Sequence, residues 1–589
     1  MKLTGTLLIA LSCILTISAG ELNAATQRAP FILVVVPEAD TTVTASAVYR
    51  LSASTNPGRS VAINGTPYKV YPSGAFGGLL ELEAGENLFT IVSAGVAGDT
   101  LVKSILFTRT APLTTTPQDS LTIEGAMLEP STSMWLGEGD LLYVQCKGTP
   151  NCTASFLDGM PMKEVPPSEA GGIAGVYRGT YKVKAADTLT DQRITFRLAD
   201  STGRAVTRET KAKISFKGGE FPIVGVTKGD RPALGFGLGE DRLGGAKLSF
   251  VNPGIILPIT GKVGDMYRIA LTENQEAWID EDMVDLRASM TLPPVSLTGS
   301  INVYGDQKYD YVNVTMSDRL PYSSTQDADP TRVHIDVYGA ASNTNWIIQQ
   351  QTAREVVNVY YTQPEKKLFR LTIELKHKQV WGYEISYRGS TLSIKVRRQP
   401  ERLKISALTF ALDAGHGGDN FGALGSTGAK EKDVNLSTVL YLKKELEDRG
   451  AHVVLTRSDD TFSFNSERLK TVFASGADIL ISIHSNSTGY TSNPLEIRGV
   501  STFYKYICYR PLSRCVLESV LKTDLPRWGN VGNFNFTLNS PTELPNALVE
   551  LAFMSNPEDE MKLLDDEFRK ELANKIADGV EDFLEYCDE

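Results

Sequence analysis

From residue 408 onward, short apolar runs alternate with stretches of helical periodicity, and no other feature of the 589-residue chain narrows its fold as far. LTFALD at 408–413 has strand length; in DVNLSTVLYLKKELEDRG, Leu436, Val439, Leu440 and Leu446 recur at helical spacing and Gly450 marks the stop. AHVVLT is the next strand, NSERLKTVFASG a second helix with Asn465 as N-cap and Gly476 at its end, and ADILISIH a third strand. Further strands are expected at VSTFYKY, NFNFTL and NALVELAF, a helix starting at Asn556 and Pro557, and a closing amphipathic helix over 567–586. Such alternation through short connections implies right-handed crossovers and a largely parallel sheet. Lys443, Lys444, Glu445 and Glu447 read as the solvated face of the first helix.

The chain before that point has a different texture. FILVVV, VAINGTPYKVYPSGAF and LLELEAGENLFTIVSAG predict a β-sandwich over 26–112, with Asn64 and Gly65 as a hairpin turn. After the linker APLTTTPQDS, the runs LLYVQC, TASFL, GVYRGTYKV and ITFRLAD predict a second sandwich over 119–218. A glycine-rich region, 221–290, contains two short strands in YRIALTENQEAWI, where Trp278 reads as core packing. YDYVNVTMSD, TRVHIDVYG, LFRLTIEL and STLSIKVRR make 295–399 another β-domain. His334, His377 and His452 have no partner ligands in sequence and read as structural.

At ~100 to 200 residues per domain, the length accommodates about four or five domains. A net charge of −11 without long Lys/Arg runs excludes nucleic acid as the main partner, because phosphate binding needs a concentrated basic surface. Residues 1–25 carry Lys2, an apolar stretch containing Cys13 and a small-residue end, the pattern of a secretory signal. The apolar stretch is shorter than the ~20 residues a bilayer span needs, so no transmembrane anchor is expected after its removal. An exported chain makes Cys146 with Cys152, and Cys508 with Cys515, disulfide candidates, leaving Cys587 over. Cys508 and Cys515 as metal ligands are the alternative.

Polar residues in the last region fall where chemistry gathers. In open α/β sheets, functional groups collect beyond the carboxyl ends of the strands, and His416 and His484 both follow an apolar strand at that end. Glu431 lies where the glycine-rich loop GHGGDNFGALGSTGAKEKD meets the first helix, and Glu550 stands inside an apolar strand. Two imidazoles and one carboxylate are a hydrolytic Zn2+ set that leaves one coordination position for water. The remaining carboxylate, Glu550, fits a general base. Asp413 and Asn486 are candidates for orienting a ligand or the substrate.

GHGG with Glu431 downstream, SIHSN and VELAFMSNPEDE, in that order, resemble the zinc-dependent N-acetylmuramoyl-L-alanine amidases. The resemblance covers about 408 to the C-terminus and implies that His416, Glu431 and His484 bind zinc and that Glu550 is catalytic. It implies hydrolysis of the amide between the MurNAc lactyl group and the first L-alanine of the peptidoglycan stem peptide, in cell-wall remodelling or daughter-cell separation. The segment KTDLPRWGNVGNFNFTLNSPTELP departs from the family's usual sequence, so substrate contacts there are unassigned. Some family members carry a helix after the second histidine that blocks the zinc; TGYTSNPLEIRG is short and turn-like, and such self-blocking is not expected here. The earlier regions resemble immunoglobulin-like sandwiches (26–112 and 119–218), a Src-homology-3-like barrel (221–290) and the amidase N-terminal, or AMIN, domain (295–399). The expected fold class is therefore multidomain, β-modules followed by an α/β zinc amidase domain over 406–589. The implied partners are peptidoglycan and an activator or divisome-type protein, in the periplasm or cell envelope. A non-catalytic wall-binding scaffold with an amidase fold, and a zinc hydrolase of another amide, are the competing readings.

Overall fold

The computed structural model describes residues 29–239, 244–287, 295–328 and 331–589. The expected signal over 1–25, with Cys13, lies outside them. No helix among the described residues is long and apolar enough to cross a membrane.

Two sheets form the first region. One runs Ile32–Val36, Val48–Thr55, Ala75–Glu81; the other runs Thr41–Thr44, Thr100–Arg109, Gly85–Ala94, Ser60–Ile63, Thr66–Tyr68. Leu51, Phe76, Ile91 and Phe107 fill the space between them. Asn64 (φ 47°) and Gly65 (φ 83°) make the two-residue hairpin turn, closing the register at Ile63 opposite Thr66.

The next three regions are less separate than their sequences suggest. Met134–Leu136 pairs in parallel with Ala205–Lys217 and antiparallel with Ile256–Val263, so one ladder continues from the second region into the third. The third and fourth regions share a core: Leu257, Ile259 and Ile269 lie in one buried cluster with Val312, Ile335, Leu371 and Ile394. In Glu276–Asp280, Ala277 and Ile279 enter that core, and strand alternation puts Trp278 on the opposite face, against expectation.

Neither expected disulfide is formed, and all five described cysteines are free. Cys508 lies in a helical stretch starting at Ile507 that carries Cys515 seven positions later, a separation of about 10 Å at helical rise, beyond the reach of a disulfide. The same spacing removes them as a metal pair. Cys146 faces the core of its sheet, where burial pushes its thiol up to about 12, while Cys152 Sγ lies 3.7 Å from the Pro150 carbonyl.

In the C-terminal domain the strands are β1 (Thr409–Ala414), β2 (His452–Leu455), β3 (Ile479–Asn486), β4 (Val500–Phe503), β5 (Arg527–Val531) and β6 (Asn546–Phe553). Its helices are α1 (Glu431–Asp448), α2 (Asn465–Ser475), α3 (Arg510–Val520), α4 (Pro557–Leu564) and α5 (Asp566–Asp588). The sheet order is β2-β1-β3-β6-β4-β5. All neighbours are parallel except β6 and β4. On one face, Leu412, Ile481, Ile483, Val549 and Leu551 pack on Val439, Leu442, Val516 and Ile576 of α1, α3 and α5; each such burial contributes about 1.5–3 kcal/mol. On the other face, Ala411 and Leu480 meet Leu469 and Val472 of α2. Alternation places Asp413, Ser482 and His484 on that second face.

Two local expectations change. Asn465 is the first residue of α2 rather than its cap; Phe464 occupies the cap position without a side-chain bond. NFNFTL is not a strand, because Asn533 turns left-handed (φ 54°) and Phe534 and Phe536 pack on Phe503 instead of pairing. Asn556 does cap α4, its side chain accepting from the Glu558 and Asp559 amides.

The first sandwich rests on the segment that follows β3. Arg50, 5% exposed, donates to Ser487 Oγ (3.1 Å), the Thr488 carbonyl (2.7 Å) and Thr488 Oγ1 (3.1 Å), and Tyr49 stacks on Tyr490. Residues 487–499 contain no helix.

Candidate metal centre

The glycine-rich loop after β1 brings its histidine back over the sheet. His416 adopts a left-handed backbone (φ 64°) between Gly415 and Gly417. Gly415 is there for space: a Cβ would stand 2.2 Å from His484 Cε1. Gly422 serves likewise, since its Cβ would lie 2.4 Å from Glu431 Oε2 and 2.7 Å from His416 Cδ2.

Three side chains converge in that space. His416 Nε2 is 3.2 Å and His484 Nδ1 3.1 Å from Glu431 Oε1. One ligand atom from each of the three residues lies within 4.8 Å of the others, a group that could hold a metal ion. His416 Nδ1 donates to Asn420 Oδ1 at 2.9 Å, which fixes its ring and leaves Nε2 as the inward nitrogen. Glu431, 4% exposed, is the first residue of α1, where the helix N-terminus favours a carboxylate. It accepts from Asn435 Nδ2 (3.0 Å), the Ser485 amide (3.1 Å) and the Ala423 amide (2.7 Å). Burial opposes its ionisation, but the hydrogen bonds and charges of His416 and His484 prevail and hold the carboxyl far below its ordinary range. Burial likewise disfavours charge on His416, and Glu431 overcomes it to raise the imidazole.

Glu550 completes the group from β6. It stands opposite His484 in the parallel ladder and opposite Ser501 of β4. Adjacent strands are ~4.8 Å apart, so Glu550 and His484 project side by side on one face.

Among the described residues, neither Asp413 nor Asn486 has a side-chain hydrogen bond to His416, Glu431 or His484. Asp413 is buried, accepting from Thr456 Oγ1 (2.6 Å), Arg468 Nη1 (2.8 Å) and Ser482 Oγ (2.6 Å). Burial alone would raise its carboxyl; the Arg468 charge and these bonds bring it below its usual value. Arg468 in turn donates to the carbonyls of Ala414 (2.6 Å) and His416 (2.5 Å), while Arg457 holds those of Ala414 (2.8 Å), Gly415 (3.1 Å) and Lys432 (2.8 Å). Asp413 thus acts through a buried arginine on the backbone of the loop. Asn486 spends its side-chain oxygen on the Ser487 amide at 2.8 Å.

Sequence reading missed Asn420, Asn435, Arg457 and Arg468. Asn435 had a signal, standing one helical turn after Glu431 on the same face. The arginines had none, because in sequence they are indistinguishable from solvated charge.

Residues 411–582 match the model of the N-acetylmuramoyl-L-alanine amidase family. Uncharacterized protein YqiI of Bacillus subtilis (strain 168) is 32% identical over 181 residues, 31% of this chain and 87% of that protein. The chain belongs to the N-acetylmuramoyl-L-alanine amidase family. The amidase AmiC of Neisseria meningitidis serogroup B is 30% identical over 215 residues, covering 29% of this chain and 52% of AmiC, so the chain spans about half of that named amidase. Among solved structures, the catalytic domain of the amidase CwlV from Paenibacillus polymyxa is 32% identical, with 30% of this chain and 98% of that one covered and a TM-score of 0.28. The family match lies wholly within the domain that carries His416, Glu431, His484 and Glu550.

Proposed function

We propose that residues 406–589 are a zinc-dependent N-acetylmuramoyl-L-alanine amidase acting on peptidoglycan in the cell envelope, and that the preceding β-regions, including those resembling Src-homology-3 and AMIN modules, hold it to the wall or to a protein activator. The convergence of His416, Glu431 and His484 beside Glu550 carries the reading. The donor set fits zinc: two imidazole nitrogens and one carboxylate, an ionised acid held by main-chain amides, and glycines at the two positions where a side chain would fill the cradle. His416, Glu431 and His484 would hold the ion. When bound, it supplies Lewis acidity to the scissile carbonyl and to water.

The protein's own contribution is proton transfer and alignment. Glu550 takes a proton from the attacking water as the new C–O bond forms, then delivers it to the alanine nitrogen as the C–N bond breaks, leaving a lactyl carboxylate and a free L-alanine amine. Such general acid–base transfer is worth ~10² to 10⁴ in rate. Asn420 and Asn435 keep the donors oriented, and Arg457 and Arg468 fix the loop that carries His416.

Incubation of purified peptidoglycan with the protein, with and without chelator, tests this by mass spectrometry of new termini. Stem peptides with free L-alanine amines, released only in the metal-loaded sample, are expected. Release unaffected by chelation, or cleavage at another bond, contradicts the reading.

A further inference from the structure

Beyond the metal donors, this face of the sheet continues as aromatic carbon. Phe536 lies parallel to the His484 ring, 6.3 Å between centroids and 6° between planes. From Phe536 the contacts run to Phe534 (4.5 Å) and Phe503 (5.7 Å), and from Phe503 to Trp528 (6.4 Å). Phe503 is buried beneath; Phe534 and Phe536 are part-buried; Trp528 is 46% exposed. The wall is built rather than loose. Asn535, between the two outer phenylalanines, donates to the Gly245 carbonyl (3.2 Å) and accepts from the Lys247 amide (3.3 Å), pinning the segment to the third region.

We propose that Trp528, Phe534 and Phe536 form the glycan subsite of this enzyme, stacking on pyranose faces of the strand whose muramoyl sugar carries the scissile amide. The inference rests on the amidase reading, in which a sugar must extend from one side of the metal centre and a peptide from the other. An aromatic face is electron-rich, and the C–H-bearing face of a pyranose is its complement. The cations beside the wall among the described residues are Arg527, Lys505 and Lys247, and Lys247 enters no ion pair there. Arg527 is spent on Glu518 at 2.7 Å, and Lys505, 6% exposed, is turned to the Lys247 carbonyl and Asn535. On the glycine-loop flank, Lys430 lies over Phe421 at 4.2 Å and likewise enters no ion pair within the described residues. The stacking surface therefore assigns the glycan to the wall formed by β4, β5 and residues 534–536, which leaves the loop flank to the peptide.

Calorimetric titration of the full chain, zinc-loaded and bearing Glu550→Gln so that nothing turns over, tests the assignment with two probes: a β-1,4-linked N-acetylglucosamine tetrasaccharide and a short acidic peptide beginning with L-alanine. Trp528→Ala and Phe534→Ala are each expected to weaken the saccharide about tenfold, with peptide affinity and zinc content as in the parent, and Trp528→Tyr to restore most of the loss. Trp528 is exposed enough that its truncation leaves the core intact. Saccharide affinity unchanged in both alanine variants overturns the proposal, as does loss of peptide affinity instead. Failure of the amidase reading shows elsewhere, as the absence of new alanine termini when the wild-type protein meets peptidoglycan.

Discussion

Among the described residues two buried glutamates hold histidines, one in the fourth region and one at the candidate metal centre. Glu355, 2% exposed, accepts His377 Nδ1 at 2.7 Å, the His377 amide at 3.2 Å and the Gln399 amide at 3.4 Å. Its oxygens are occupied by one imidazole and the main chain. Glu431 also takes main-chain amides, but it stands where two imidazoles arrive from separate elements, with glycines on either side in place of larger residues. A buried Glu–His pair closed by local backbone is a structural fastening. A carboxylate at the meeting point of two imidazoles, with space kept around it, is a candidate metal site.

Substitutions separate the two kinds of glutamate. His416→Ala removes one of three donors and should bring zinc content and peptidoglycan turnover to background, read by metal analysis and product mass spectrometry; a variant that keeps full zinc would place the metal elsewhere. Arg468→Met leaves Asp413 and two loop carbonyls without their buried partner and should cost about 3–5 kcal/mol in denaturant unfolding, the loop being held from below. His377→Ala should cost about 1–3 kcal/mol of stability from the unpaired Glu355, with zinc content unchanged; loss of metal there would erase the distinction. A pH-dependent effect concerns Lys505, a buried charge beside the aromatic wall. Burial, helped by the Lys247 charge, lowers its ammonium to about 8 from 10.5. Between those values the folded state is deprotonated and the unfolded state protonated, so the unfolded chain binds more protons and stability rises with pH across the window. Lys505→Met should flatten that rise in denaturation measured between about pH 8 and pH 10.5.

The donors were legible because each ends an apolar run or opens a helix, positions that strand and helix periodicity locate. The strand order that makes His484 and Glu550 neighbours was not, since it depends on which strands pair across more than sixty residues. Loop conformation was hidden too. NFNFTL alternates like a strand, yet the left-handed turn at Asn533 and the pull of Phe503 make it a wall. The Cys508 and Cys515 pair misled because spacing in sequence ignores helical rise. Module boundaries blurred for a similar reason: Met134–Leu136 is too short to announce that it stitches two regions together.

The most direct test of a four-residue centre separates holding the metal from using it. Zinc stoichiometry and the yield of new L-alanine termini from purified peptidoglycan should be measured side by side on wild-type protein and Glu550→Gln. The arrangement of Glu550 beside, but apart from, the three donors predicts one zinc per chain in both proteins and product from the wild type alone. Product formed by Glu550→Gln at the wild-type rate, or zinc lost on that substitution, would contradict it.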